Sequence, residues 1–341
     1  MTTQPEQTIN ISGHPYRLNR LLAETASCRV WAATDMATDT PVAIKAFHNL
    51  CTHKIQGIIE EIALYKVLPA AVSERFVPFY HHGCWREGYA FVMARMDSDL
   101  SGVSFDSDPA RLLCRLWLDI ALALDCLHRH GYLHLDLKPA NILCNYELDR
   151  FYLGDFGSLK TLDSPANNIS SGTEGWMAPE QRYCQLNEAA LPVYKVSPAT
   201  DIYTFGLLMY VLATNSLPVT AEGAPFEGGL SQPDIETLQR GLHPLGLEPC
   251  QCNQLETMII RCLRRDPAQR PTSLAEPITL LKALNGQSAC TQDKPLTSPS
   301  SALIPLLLDS PPEPQTRISH RGAVVLAMVL VASVLSYELV L

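Results

Sequence analysis

The chain has 341 residues, 47% of them hydrophobic, and carries 35 acidic against 26 basic side chains for a formal net charge of -9. That is enough apolar material for a globular body of roughly 270 residues with appendages, and the acidic balance excludes a surface that tracks nucleic-acid phosphates, so no nucleic-acid partner is expected. The eleven cysteines are scattered, several within apolar runs (Cys114, Cys126, Cys144, Cys262), which excludes a disulfide framework; Cys250-Gln251-Cys252 lacks a second pair to complete a zinc set and reads as loop thiols.

Residues 1–13 are polar, without the apolar core of a secretory signal, and are expected to form an N-terminal tail in the cytosol. From Tyr16 to Phe47 the pattern is strand-like, with residues 41–47 alternating behind a Thr38-Asp39-Thr40 turn. Residues 54–69 place Ile58, Ile62, Leu64 or Tyr65 and Leu68 at helical spacing and stop at Pro69. Residues 89–93 read as a further strand. Dense helical periodicity follows over 110–130, then at 200–213, 254–264 and 273–284. The expectation is an α+β chain over 14–284, a small sheet-rich lobe followed by a larger helical one with a ligand cleft between them.

Beyond it, residues 285–321 form a Pro/Ser-rich linker that cannot hold a packed core. Residues 322–341 are apolar except Ser333, Ser336, Tyr337 and Glu338, and at about 1.5 Å per residue they reach across a bilayer core of roughly 30 Å. They are expected to form a C-terminal transmembrane helix, a single-pass anchor. Arg317, His320 and Arg321 just before it favour a cytoplasmic globular part, with the membrane as a partner.

Chemistry concentrates in two runs. Residues 134–141 read His-Leu-Asp-Leu-Lys-Pro-Ala-Asn, and Gly154-Asp155-Phe156-Gly157 follows. An Asp able to accept a hydroxyl proton, a Lys two residues on, an Asn five residues on and a second Asp in a tight turn are what metal-dependent phosphoryl transfer requires.

With these runs in view, residues 16–284 resemble the eukaryotic-type protein kinase family, and Lys138 resembles its Ser/Thr branch. The resemblance implies a two-lobed kinase fold that uses ATP and Mg²⁺ on protein substrates. By resemblance Asp136 is the catalytic Asp, Lys138 neutralises the transferring phosphate, Thr173 in the run Gly172 to Glu180 supports Asp136, and Asn141 and Asp155 ligate Mg²⁺. Val42-Ala43-Ile44-Lys45 resembles the strand whose Lys grips phosphates when paired with a helix Glu; Glu61 is assigned, with Glu60 as the alternative. Leu22, Val30, Ala43 and Leu143 would wall the adenine, with Met93 at the back and backbone groups of Ala94 to Met96 beside it. Glu180 has an ion-pair partner in Arg270, and Asp201 resembles the helix Asp that holds the catalytic loop.

The chain departs from the family's G-x-G-x-x-G-x-V phosphate loop. The aligned residues are Ala23, Glu24, Thr25, Ala26, Ser27, Cys28, Arg29 and Val30, without a glycine, so the backbone approaches phosphates less easily. Leu135 stands where many members carry an Arg, which implies activation without loop phosphorylation. The expected function is a membrane-anchored Ser/Thr protein kinase; the alternative is a pseudokinase, a membrane-tethered scaffold.

Overall fold

The computed structural model describes residues 7–288 apart from 26, 49, 51, 68–73, 86–87, 104, 106–107, 148–149, 163–171, 183–184, 187–191, 194–195 and 219–228. The described chain falls into two compact units, one ending at Met96 and one beginning at Asp97.

The first unit is built on six antiparallel strands: β1 (Gln7–Ile11), β2 (His14–Glu24), β3 (Cys28–Asp35), β4 (Pro41–Phe47), β5 (Phe79–Trp85) and β6 (Gly88–Ala94), in the order β1-β2-β3-β4-β6-β5. Alternation along the strands sorts side chains to two faces. One face gathers Ile9, Ile11, Tyr16, Leu18, Val42, Ile44 and Val92 into a core. The other packs Phe47, Phe91 and Met93 against Ile55, Ile58 and Ile62 of the single helix α1 (Thr52–Val67). The sheet curls until its edges meet, where the His81 ring hydrogen-bonds the Ile11 carbonyl at 3.2 Å. Strand β1 lies within the stretch expected to be a tail. The segment is polar on average, but Ile9 and Ile11 alternate with exposed residues and close the core.

The second unit is helical. Its small strands are β7 (Ser98–Asp99), β8 (Tyr132–Leu133), β9 (Ile142–Asn145), β10 (Arg150–Leu153), β11 (Lys160–Thr161), β12 (Gln185–Leu186) and β13 (Pro192–Val193). Helix α2 (Pro109–Arg129) starts at Asp108, whose carboxylate accepts from the Arg111 amide, with Pro109 in its first turn, the capping chemistry expected of such a start. After the short α3 (Pro179–Arg182) come α4 (Pro198–Thr214), α5 (Gln232–Leu242), α6 (Pro249–Cys262) and α7 (Ala275–Ser288). Helix α4 opens with a capping box between Ser197 and Thr200, ends on Asn215 in the left-handed conformation, and buries Ile202, Phe205, Leu208 and Met209 against α5 and α6.

One expectation is overturned. Among the described residues no helix is long and apolar enough to cross a membrane; the longest, α2, carries Arg111, Arg115, Asp119, Asp125 and Arg129. The membrane localisation expected from residues 322–341, with the globular part on the cytoplasmic side, and the membrane as a partner are therefore withdrawn. Hydropathy of that run indicated only that a span was chemically permitted; the run lies outside the described residues, as does the linker from 289 onward.

Candidate active site

In the first unit, antiparallel pairing sets Val30 opposite Lys45, Ala32 opposite Ala43, and Ala43 opposite Met93. Directly paired residues share a face, so Val30, Ala43, Lys45 and Met93 lie together on the α1 side of the sheet. Lys45 Nζ is 3.7 Å from the Glu61 carboxylate, which is 1% exposed, and also stands over the Phe47 ring. Glu60, the alternative partner, instead accepts a hydrogen bond from Gln56 at 2.9 Å. The amide of Ala94 is bonded to the Pro78 carbonyl at 2.8 Å. Leu22 sits at a register shift between Leu21 and Ala23 and is 40% exposed.

The β2–β3 turn is closed on itself. Thr25 N donates to the Cys28 carbonyl at 2.8 Å, Ser27 N and Cys28 N donate to Thr25 Oγ1 at 3.4 and 3.1 Å, and Glu24 pairs with Arg29 at 2.6 Å. Ala26 lies outside the described residues.

In the second unit four expected residues converge. Asp136 Oδ1 accepts from Thr173 Oγ1 at 2.7 Å, and Thr173 Oγ1 in turn accepts from Lys138 Nζ at 2.5 Å. Lys138 Nζ also lies 3.0 Å from Asp136 Oδ2. Asn141 Nδ2 donates to the Asp136 carbonyl at 2.8 Å and to Asp136 Oδ2 at 3.1 Å. These bonds occupy the amide nitrogen of Asn141 and orient its Oδ1 as the remaining acceptor. Asp155 joins through the backbone, since Gly154 N donates to the Asn141 carbonyl at 2.9 Å. Leu143 follows on β9, half-buried.

Asn Oδ1 and an Asp carboxylate are hard oxygen donors, a set that suits Mg²⁺ bound jointly with phosphates. Among the described residues there is no group of three or more His, Cys, Asp and Glu able to hold a metal by itself.

Two residues here hold left-handed backbone, Leu135 at φ 63° and Asp155 at φ 55°. Such conformations cost of order 1–3 kcal/mol and persist only where surroundings over-determine them. Around Leu135 those surroundings are explicit. Its amide and that of His134 donate to the two oxygens of Asp201 at 2.8 and 2.9 Å, and its carbonyl accepts from Gln181 Nε2 at 2.8 Å. Gly172 approaches so closely, at φ 123°, that a Cβ would lie 2.9 Å from the same carbonyl.

Asp201 is fully buried, which by itself pushes its pKa up; the His128 hydrogen bond at 2.9 Å, the nearby His128 and His134 rings and the Leu135 amide outweigh this and hold it below the usual carboxylate value. His134 links both runs. Its Nδ1 accepts from the Asp136 amide, so Nε2 carries the proton donated to the Gly154 carbonyl at 3.2 Å, and its ring meets Phe156 edge-on. Farther out, Arg270 makes a two-pronged pair with Glu180 at 2.6 and 2.9 Å.

Sequence reasoning missed His128, His134 and Gln181 as supports. Of these only His134 carried a local signal, a polar residue between Leu133 and Leu135.

Residues 16–282 match the protein kinase domain family. The chain is similar to LysM domain receptor-like kinase 3 of Medicago truncatula, 27% identical over 77% of this chain and 39% of that protein. It is also similar to serine/threonine-protein kinase PkaA of Streptomyces coelicolor, 32% identical over 76% of this chain and 48% of that protein. Serine/threonine-protein kinase ppk34 of Schizosaccharomyces pombe is 24% identical over 75% of this chain and 80% of that protein. The chain spans less than half the length of the first two of these relatives.

Proposed function

Since the chain belongs to the eukaryotic-type Ser/Thr protein kinase family, we propose that it transfers the γ-phosphate of ATP to Ser or Thr hydroxyls of protein substrates. The observation that carries this reading is the network in which Thr173, Lys138 and Asn141 all bond to Asp136. A carboxylate fixed by three donors is oriented to receive a hydroxyl proton. Asp136 would take the proton of the incoming Ser or Thr as its oxygen attacks phosphorus. Lys138, beside it, would set a positive charge against the phosphoryl group in transfer. Thr173, one residue past Gly172 in the run leading to Glu180, would tie the substrate-docking stretch to the same carboxylate.

Asn141 and Asp155 would hold Mg²⁺, which when bound offsets the charge of the ATP phosphates. Lys45, oriented by Glu61, would grip the α- and β-phosphates. The apolar walls would include Leu22, Val30, Ala43 and Met93, with Ala94 and Met96 supplying backbone groups to the adenine.

A second reading is favoured by one observation, the closed Thr25–Cys28 turn without glycine: a pseudokinase acting as an interaction module. Incubating the full chain with Mg²⁺ and labelled ATP, beside Asp136→Ala, separates the two. Phosphate on the protein or on a generic basic substrate, lost in the variant, is the expected result. A folded protein that incorporates none and shows no nucleotide-induced thermal shift sinks the kinase reading.

A further inference from the structure

Among its described residues, the β2–β3 turn satisfies the amides of Thr25, Ser27 and Cys28 from within. Backbone N–H groups in a turn bind phosphate when they are presented to solvent as a concave set of donors. Here the amides of Ser27 and Cys28 are both directed at Thr25 Oγ1, and the Thr25 amide at the Cys28 carbonyl. The hydroxyl of Thr25 completes the circuit by donating to the Cys28 carbonyl at 3.3 Å. The turn is held from both sides, because His48 N donates to the Ser27 carbonyl at 2.8 Å and Arg29 bridges to Glu24. A single side-chain oxygen thus sits where a phosphate oxygen would otherwise collect the two amide protons.

We infer that Thr25 is an affinity-setting residue for the nucleotide, its hydroxyl an internal competitor that keeps the turn from engaging phosphates and leaves them to Lys45 and the metal ligands. This rests on the kinase reading, and it narrows it: removing the hydroxyl raises the protein's discrimination between ATP and phosphate-free adenosine. Thr25→Gly both frees the two amides and lets the backbone approach closely. Thr25→Val frees them while keeping the branched shape, and Thr25→Ser keeps the oxygen.

The test is titration of the full chain and these three variants with Mg²⁺-ATP and with adenosine, followed by calorimetry. Two amide bonds exchanged from hydroxyl to anionic phosphate predict a dissociation constant for ATP about tenfold lower in Thr25→Gly, with a smaller gain in Thr25→Val. Adenosine binding stays as in the parent, and Thr25→Ser returns ATP to the parent value. If the parent binds ATP and the Gly and Val variants bind it no better, the inference about Thr25 fails while the kinase reading stands. If the parent binds no ATP and Thr25→Gly does, Thr25 is upheld and the present chain is no kinase. No ATP binding by any of the four overturns both.

Discussion

Gln181 Nε2 donates to the Leu135 carbonyl at 2.8 Å, while its Oε1 accepts from the Ala178 amide at 2.9 Å. One buried carboxamide thus joins the end of the Thr173 stretch to the residue preceding Asp136. It grips the peptide whose φ of 63° sets the direction in which Asp136 emerges. Gln181→Glu keeps the shape and the acceptor but turns a carboxylate toward a carbonyl. An unsatisfied buried group of this kind costs about 1–3 kcal/mol. On the kinase reading, kcat falls at least tenfold while the KM for ATP holds, because the nucleotide-gripping Lys45 lies elsewhere. Steady-state kinetics in which KM for ATP carries the whole loss would count against this positioning role.

Asp201 contributes stability with a definite pH signature. Its folded pKa lies below the ordinary value, so it binds fewer protons folded than unfolded in the acid range. The stabilisation is complete above the unfolded pKa of about 3.9 and is lost as pH falls through the lower folded value. Asp201→Asn replaces an acceptor of three donors, from His128, His134 and Leu135, by a group that presents N–H to one of them. Chemical denaturation at pH 7 is expected to show a loss of about 2–4 kcal/mol, shrinking as the pH is lowered below 4. A loss independent of pH would mean that the carboxylate charge is not what holds the loop.

Lys45 and Glu61 allow activity and stability to be separated. The Glu61 carboxylate is buried, 1% exposed, with its lysine partner 3.7 Å away. Burying a charge for a pair this long is costly, so Glu61→Gln is expected to leave the unfolding midpoint unchanged or slightly raised. The same change removes what orients Lys45, and the KM for ATP is expected to rise about tenfold. A marked fall in thermal stability with unchanged KM would assign Glu61 to the fold and not to the nucleotide.

The chemistry was more legible in the sequence than its supports. Asp136, Lys138, Asn141 and Thr173 could be picked out because their types and order resemble a phosphoryl-transfer site, and they do meet in one network. Glu61 could be assigned to Lys45 ahead of Glu60 from its spacing to the Leu68 end of the helix, and in the fold Glu61 lies 3.7 Å from Lys45 while Glu60 accepts from Gln56. Strand β1 was invisible because two isoleucines in five residues give too short a period to stand out from a polar stretch. Gln181 and His134 act through backbone groups distant in sequence, and His128 through the distant Asp201 carboxylate; such contacts leave no periodicity. The C-terminal run failed for the opposite reason: a strong local hydropathy signal was given a structural meaning that nothing in the described fold supports.

Packing of α4 offers a last test, independent of catalysis. Gly206 sits in the middle of this helix, where a Cβ would lie 2.5 Å from Cys262 Cβ and 3.4 Å from Leu263 Cγ. Glycine inside a helix normally costs about 1 kcal/mol relative to alanine, so the residue is there for the close approach of α6 and not for helix propensity. Cys262 is fully buried in this seam, and burial pushes its thiol pKa up to about 12. Gly206→Ala is therefore expected to destabilise, by about 1–3 kcal/mol, against its propensity gain. Cys262→Gly removes the opposing Cβ at its own cost, and the double variant should lose less than the sum of the two, by more than about 0.5 kcal/mol in denaturant unfolding. Strict additivity would mean that the two helices slide apart freely and that Gly206 is not what sets their spacing.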